Sequence, residues 1–161
     1  SLATGCQQVL ARSLSGLAPV FDAVEFLEHE GAGLQFRPAE RRVALHLPCT
    51  QRVAKSDAAL RRLLARVPGL DLVELPDTGC CGMSGTYGHE SVNVATSRQI
   101  YSLSWEPILK DGETQKTEFL ATGYYCRSQA KRMEGRHLRH PVEVLLQFHA
   151  QTLSPATGQR Q

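Results

Sequence analysis

The sequence predicts an α/β fold: a mostly parallel sheet flanked by helices, one Rossmann-like unit nearly whole, with the remnant of a duplicated unit before it. Three observations support this. Short apolar runs bounded by turn residues recur as strand signals. Segments with apolar positions at three- and four-residue spacing alternate with them, as in parallel sheets covered by helices. Four cysteines lie just past a strand signal or on a glycine loop, where ligands gather in an open parallel sheet.

The strand signals are "SLAT" (1–4), "RVALHL" (42–47), "LDLVEL" (70–75) and "TEFLAT" (117–122). "SDAALRRLLARV" (56–67) has helical periodicity, with Ser56 as its N-cap. "ESVNVATSRQIYSLSWEPILKD" (90–111) predicts a longer helix that Pro107 should bend or end. "HPVEVLLQFHAQ" (140–151) carries Pro141 in its first turn, where proline is tolerated. The polar tail 151–161 predicts a flexible end.

The chain has 161 residues, enough for one α/β domain with a core. Its formal charge is +2 with both signs mixed throughout, which argues against a nucleic-acid partner. No run of about 18 apolar residues is present, so no transmembrane segment is expected. Without a secretory signal, the expected location is cytoplasmic, at most peripheral at the inner face of the membrane. The opening "SLATG" reads as a strand entered midway, so these residues are expected to be a piece of a longer polypeptide.

A weak repeat supports that expectation. "LATGCQQ" (2–8) echoes "LATGYYCRSQ" (120–129), and "DAVEFL" (22–27) echoes "HPVEVL" (140–145) at nearly matching separation. Each copy reads as strand, cysteine turn, helix and second helix. Residues 1–31 are then the back end of a first unit, and 42–150 a second unit.

The five cysteines are Cys6, Cys49, Cys80, Cys81 and Cys126. An odd number without an export signal argues against a disulfide framework. Neighbouring cysteines such as Cys80 and Cys81 make a strained disulfide, so direct dithiol chemistry is the weakest reading of them. Cys6 is read as a small buried hydrophobe. Three strand ends would deliver Cys49, Cys80 with Cys81, and Cys126 to one edge. Four soft thiolates there suit zinc or an iron–sulfur cluster. Gly82, Gly85 and Gly88 free the loop backbone so that amide N–H groups can converge on the site. A helix starting near Glu90 would add its positive end. The dinucleotide and phosphate-loop patterns are missing from this glycine loop.

"HLPC" (46–49), "CCGMSGTYGHE" (80–90), "CRSQ" (126–129) and "RHPVEVLL" (139–146) resemble the cysteine-rich CCG domain. That domain recurs in heterodisulfide reductase, anaerobic glycerol-3-phosphate dehydrogenase, and glycolate and lactate oxidation subunits. The resemblance is closer still to the C-terminal end of bacterial FAD-linked oxidases of D-2-hydroxy acids, of the D-lactate or D-2-hydroxyglutarate dehydrogenase type. It implies that Cys49, Cys80, Cys81 and Cys126 are metal ligands. The family's final Cys-x-x-Cys couplet has glycine here at its first position, Gly123. Four of five expected thiols therefore remain, which leaves a plain 4Fe–4S cluster or a zinc site open in place of a five-thiol noncubane cluster.

The resemblance also implies FAD in a domain outside this chain, which would be the partner here, and a downstream electron acceptor such as a quinone. The expected function is electron relay, in a fragment not active alone; the alternative is a zinc-binding structural or interaction domain. Gly82, Gly85 and His46 are the further cofactor-contacting candidates, His46 weighed equally against a solvent-facing strand residue. His89 is read as a cap or surface residue and His140 as an anchor of the last helix. Arg127 and Lys131 are read as solvated surface. Tyr87, Tyr124 and Tyr125 are read as packing around the site, and Trp105 as a core anchor.

Overall fold

The computed structural model describes residues 4–17, 19–54, 57–75, 78–111 and 116–150. Three strands form its sheet: β1 (Arg41–His46), β2 (Leu70–Glu74) and β3 (Glu118–Ala121), in the order β2-β1-β3. Both pairings are parallel, with Val43 opposite Leu72 on one side and Glu118 on the other. The fold is α/β, as the alternation of apolar runs and helical periods implies.

Successive strand side chains point to opposite faces, and each face has its own core. On one face Val43, Leu45 and Leu120 pack with Leu60, Leu63 and Leu64 of α4 (Ala58–Ala65). Val24 of α2 (Ala23–Glu30) and Val144 and Leu145 of α7 (Pro141–Phe148) complete this layer. On the other, Ala44, Phe119 and Ala121 pack with Tyr101, Trp105 and Leu109 of α5 (Val94–Lys110). Cys126 and Ala130 of α6 (Tyr124–Glu134) join them, together with Cys81 and Met83. The two buried thiols, Cys81 and Cys126, therefore belong to the second face.

Several boundaries differ from the sequence reading. The first strand signal lies outside the described residues except for Thr4, which opens α1 (Thr4–Ser13). Ser56 also lies outside them; Asp57 is the N-cap of α4, its carboxylate taken by Arg61 at 2.6 Å. The helix expected from residue 90 begins only at Val94, after 3-10 turns at Tyr87–His89 and Ser91–Asn93. Pro107 does not end α5. Its ring lies on the exposed side, Asp111 N–H donates to Pro107 O at 3.1 Å, and buried Leu109 fixes the last turn in the core. The tail from residue 151, expected to be flexible, lies outside the described residues.

The two echoing segments share a local device. Asp22 and His140 each cap a helix by accepting an N–H, from Val24 and Val142, and Glu25 and Glu143 close the capping box. The echo in sequence is thus an echo in helix-starting chemistry.

Candidate metal centre

Strand order places the site. In the order β2-β1-β3 the chain leaves β1 toward β2 on one side and returns to β3 on the other. The crevice beyond the carboxyl ends of β1 and β3 is the switch point where open parallel sheets bind ligands. Cys49 opens the short helix α3 (Cys49–Ala54) after β1, and Cys126 stands in the first turn of α6 after β3. The Thr122 hydroxyl donates to Gln51 Oε1, a buried tie that joins α3 to the end of β3. A Cβ built on Gly123 would lie 3.0 Å from Pro48 Cβ and 3.2 Å from Cys126 Sγ. The residue before Cys49 and the sulfur of Cys126 thus face the same small space.

Cys80 and Cys81 reach this crevice on a loop pressed against the flank of α5. Gly82 has φ +84°, and a Cβ there would lie 2.3 Å from Ser97 O, so only glycine allows this approach. Ser104 Oγ donates to Cys80 O at 2.9 Å, and Trp105 Nε1 to Gly79 O at 3.4 Å. The loop therefore runs along the flank of α5, from Ser104 and Trp105 down to Ser97 in its first turn. Backbone amides supply positive charge at the sulfurs. Gly82 N–H donates to Cys80 Sγ at 3.3 Å, and the Met83 N–H favours the Cys81 thiolate. Gly85 and Ser84 also take positive φ, +67° and +37°.

The four sulfurs fall into two kinds. Cys81 and Cys126 are 7% and 6% exposed and hydrogen-bonded to each other; Cys49 and Cys80 are exposed. That shared bond brings the Cys81 thiol down to about 7, against burial, with backbone N–H groups helping. The same bond, burial and the charges of Cys81, Cys49 and Cys80 push Cys126 up. Among the described residues no three His, Cys, Asp or Glu side chains are already grouped to hold a metal ion. The donor set still fits a thiolate-bound group. It is all soft sulfur, one buried pair is in contact, two further thiols lie on the open side near enough to act on Cys126, and amide donors point at the vicinal pair.

The other candidates divide. His46 does not face solvent. It is 5% exposed, its Nδ1 shares a 2.6 Å hydrogen bond with Thr78 Oγ1, and its ring meets Trp105 edge-on at 4.3 Å. It positions the segment leading into Cys80. Arg127 is not solvated surface: it donates to Ala121 O and Thr122 O at 2.8 and 2.9 Å, holding the end of β3. Lys131 and His89 are exposed as expected. Tyr87 is half-buried, but Tyr124 and Tyr125 are exposed, their rings crossed edge-to-face at 5.7 Å beside Cys126. They do not pack the site because the apolar face of α6 is already filled by Cys126 and Ala130. Cys6 belongs to α1; its side chain lies outside those described. The sequence reading missed Ser97, Tyr101 and Gln129. The signal was the spacing of Ser97, Tyr101 and Trp105 along one face of α5.

Comparison with known proteins agrees with this layout. The family model of the cysteine-rich domain named CCG matches residues 43–105. D-2-hydroxyglutarate dehydrogenase of Pseudomonas putida is 51% identical over 114 residues, 69% of this chain and 10% of that protein. One subunit of the anaerobic glycerol-3-phosphate dehydrogenase of Escherichia coli is 30% identical over 119 residues, 73% of this chain and 29% of that one. The glycolate oxidase iron-sulfur subunit of Escherichia coli is 29% identical over 140 residues, 85% of this chain and 32% of that one. The chain thus spans between a tenth and a third of the length of these relatives. No solved structure matches it significantly. Residues 43–105 thus carry the pattern of the cysteine-rich CCG domain.

Proposed function

We propose that this chain is the iron–sulfur electron-relay domain of an FAD-linked D-2-hydroxy-acid dehydrogenase, with Cys49, Cys80, Cys81 and Cys126 as ligands. The observation that carries the reading is the buried Cys81–Cys126 contact at the switch point, with Cys49 and Cys80 on its open side. The names of the relatives, two dehydrogenases and an iron–sulfur subunit, support the class. A bound cluster supplies one-electron transfer. The chain's own residues do the rest. Gly82 and Gly85 shape the loop, the Gly82 and Met83 amides donate to sulfur, and Trp105 with His46 and Thr78 fixes the path into Cys80.

The partner is a flavin domain of the parent polypeptide, where substrate is oxidised, and the acceptor beyond the cluster is a small carrier such as a quinone. Among the described residues no helix is long and apolar enough to cross a membrane. A cytoplasmic or peripheral location at the inner face fits that role. The first 31 residues are the back end of a first unit, a reading supported by the paired capping boxes.

One observation favours a second reading. Gly123 stands where the family's fifth thiol would be, and four thiolates alone also suit tetrahedral zinc. The test is elemental analysis of iron, sulfide and zinc on anaerobically prepared protein. Brown protein with iron and sulfide supports electron relay; colourless protein with one zinc supports a structural domain. Retention of neither after reconstitution would overturn both.

A further inference from the structure

The glycine loop that carries the vicinal cysteines closes around one side chain. Ser97, in the first turn of α5, is fully buried. Gly82 lies against its backbone: a Cβ there would stand 2.3 Å from Ser97 O. Gly88 lies against its hydroxyl: a Cβ there would stand 2.7 Å from Ser97 Oγ and 2.6 Å from Met83 Sδ. Both ends of the glycine loop therefore rest on this one serine.

The helix that carries Cys126 reaches the same point. Gln129, one turn on from Cys126 and fully buried, donates from Nε2 to Ser97 Oγ at 2.9 Å. A further turn along, Arg132 donates to Gly88 O at 2.6 Å. These two bonds tie α6 to the far end of the loop and to the serine beneath it. Stability alone does not explain a glutamine here. Its Oε1 and the hydroxyl of Tyr101, one turn along α5 from Ser97, are both buried without a hydrogen-bond partner among the described residues. The amide is thus held through Ser97 and not through Tyr101, and it strands an oxygen that methionine would not bring. What the amide adds is direction: it fixes how α6 is turned and how closely it sits against the loop. Cys126 lies three residues earlier on that helix, and its sulfur meets that of Cys81, the neighbour of Gly82.

We propose that Gln129 is a positioning residue for the metal centre: its hydrogen bond to Ser97 locks α6 against the cysteine loop, so that Cys81 and Cys126 are held together before any metal arrives. The inference rests on reading Cys49, Cys80, Cys81 and Cys126 as ligands.

The test is Gln129→Met, close in volume, in the whole chain. Iodoacetamide labelling of the metal-free protein is read cysteine by cysteine with peptide mass spectrometry. It should quicken about five- to tenfold at Cys81 and Cys126, the change in local opening that loss of one buried hydrogen bond brings. Labelling of the exposed Cys49 and Cys80 should stay as it was. Ser97→Ala should act in the same way, and the double variant should label no faster than either single one, since the same bond is lost in each. After anaerobic reconstitution with ferrous iron and sulfide, Gln129→Met should show a shifted visible absorption and lose iron faster to a chelator. Val144→Ala, in the core on the other face of the sheet, is the control for loss of stability alone. Equal quickening in Val144→Ala would make the effect one of stability and overturn the proposal. Equal quickening in Tyr101→Phe would make Tyr101 the anchor of the amide, with the same consequence. Unchanged labelling and absorption in Gln129→Met would overturn it while leaving the ligand reading intact. If the unsubstituted chain takes up neither iron nor zinc, the ligand reading falls and the role at a metal centre falls with it.

Discussion

Gly82→Ala should uncouple the cysteine loop from α5. The new Cβ would stand 2.3 Å from Ser97 O and 3.1 Å from Ser97 Oγ, and the residue would have to hold φ +84°. The left-handed conformation alone costs a non-glycine residue about 1–2 kcal/mol. An ordinary contact needs more than 3 Å, and the obstacle is helix backbone, so the loop must lift off. Overpacking of this kind costs about 1–3 kcal/mol. The sum is roughly 2–5 kcal/mol, a large share of the ~5–15 kcal/mol that holds a domain together. Gly85→Ala is the control: it also demands a positive φ, +67°, but its Cβ meets nothing within 4 Å. It should lose only the conformational part, about 1–2 kcal/mol. Urea unfolding of the metal-free chain reads both, followed by the fluorescence of Trp105, the single tryptophan, buried beside the loop. At a slope of about 1–3 kcal/mol/M, Gly82→Ala should lower the midpoint by on the order of 1–2 M. Equal midpoints for the two variants would refute the claim that glycine is required for loop–helix contact.

Stability should also depend on His140, whose neutral ring accepts the Val142 N–H at the start of α7. Burial first and the nearby Arg127 charge second lower its pKa, so the folded state resists its protonation. The contribution is then full above the unfolded pKa of about 6.5 and is lost as pH falls from there through the folded pKa. Urea midpoints at pH 7.5 and pH 5 should show that loss, and His140→Asn, which still caps, should flatten it. Serine at Cys49, Cys80, Cys81 or Cys126 should abolish iron retention after reconstitution, while Cys6→Ser leaves it largely intact; loss of iron from Cys6→Ser would show that the centre draws on both units. Gly123→Cys should place its side chain against Cys126 and crowd Pro48, changing the visible spectrum of the loaded chain; an unchanged spectrum would mean the added thiol does not enter the site. The isolated chain should not turn over D-2-hydroxyglutarate with a dye acceptor, because that oxidation needs the flavin.

Much of this protein could be read from the order of its residues. Strand positions, helix periods and cysteines after strands depend on local patterns of burial and turn chemistry, so β1, β2, β3 and the run of thiols were visible. The resemblance carried by "CCGMSGTYGHE" pointed to the cysteine-rich CCG domain. Tertiary packing decided what local pattern cannot encode. Pro107 stays within α5 because Leu109 is held in the core beyond it. The helix after the cysteine loop starts late, at Val94, and the amides of Gly82 and Met83 face the sulfurs. His46 turns inward to Thr78 and Trp105, because its strand face meets α5 and not solvent. The division of the thiols into a buried hydrogen-bonded pair and an exposed pair arises where two elements far apart in sequence meet. Cys81 and Cys126 come together across 45 residues because Gly82 lets its loop touch Ser97 while α6 packs the same face of the sheet. Such contacts are set by volume and geometry between elements, and those quantities exist only once the sheet has formed.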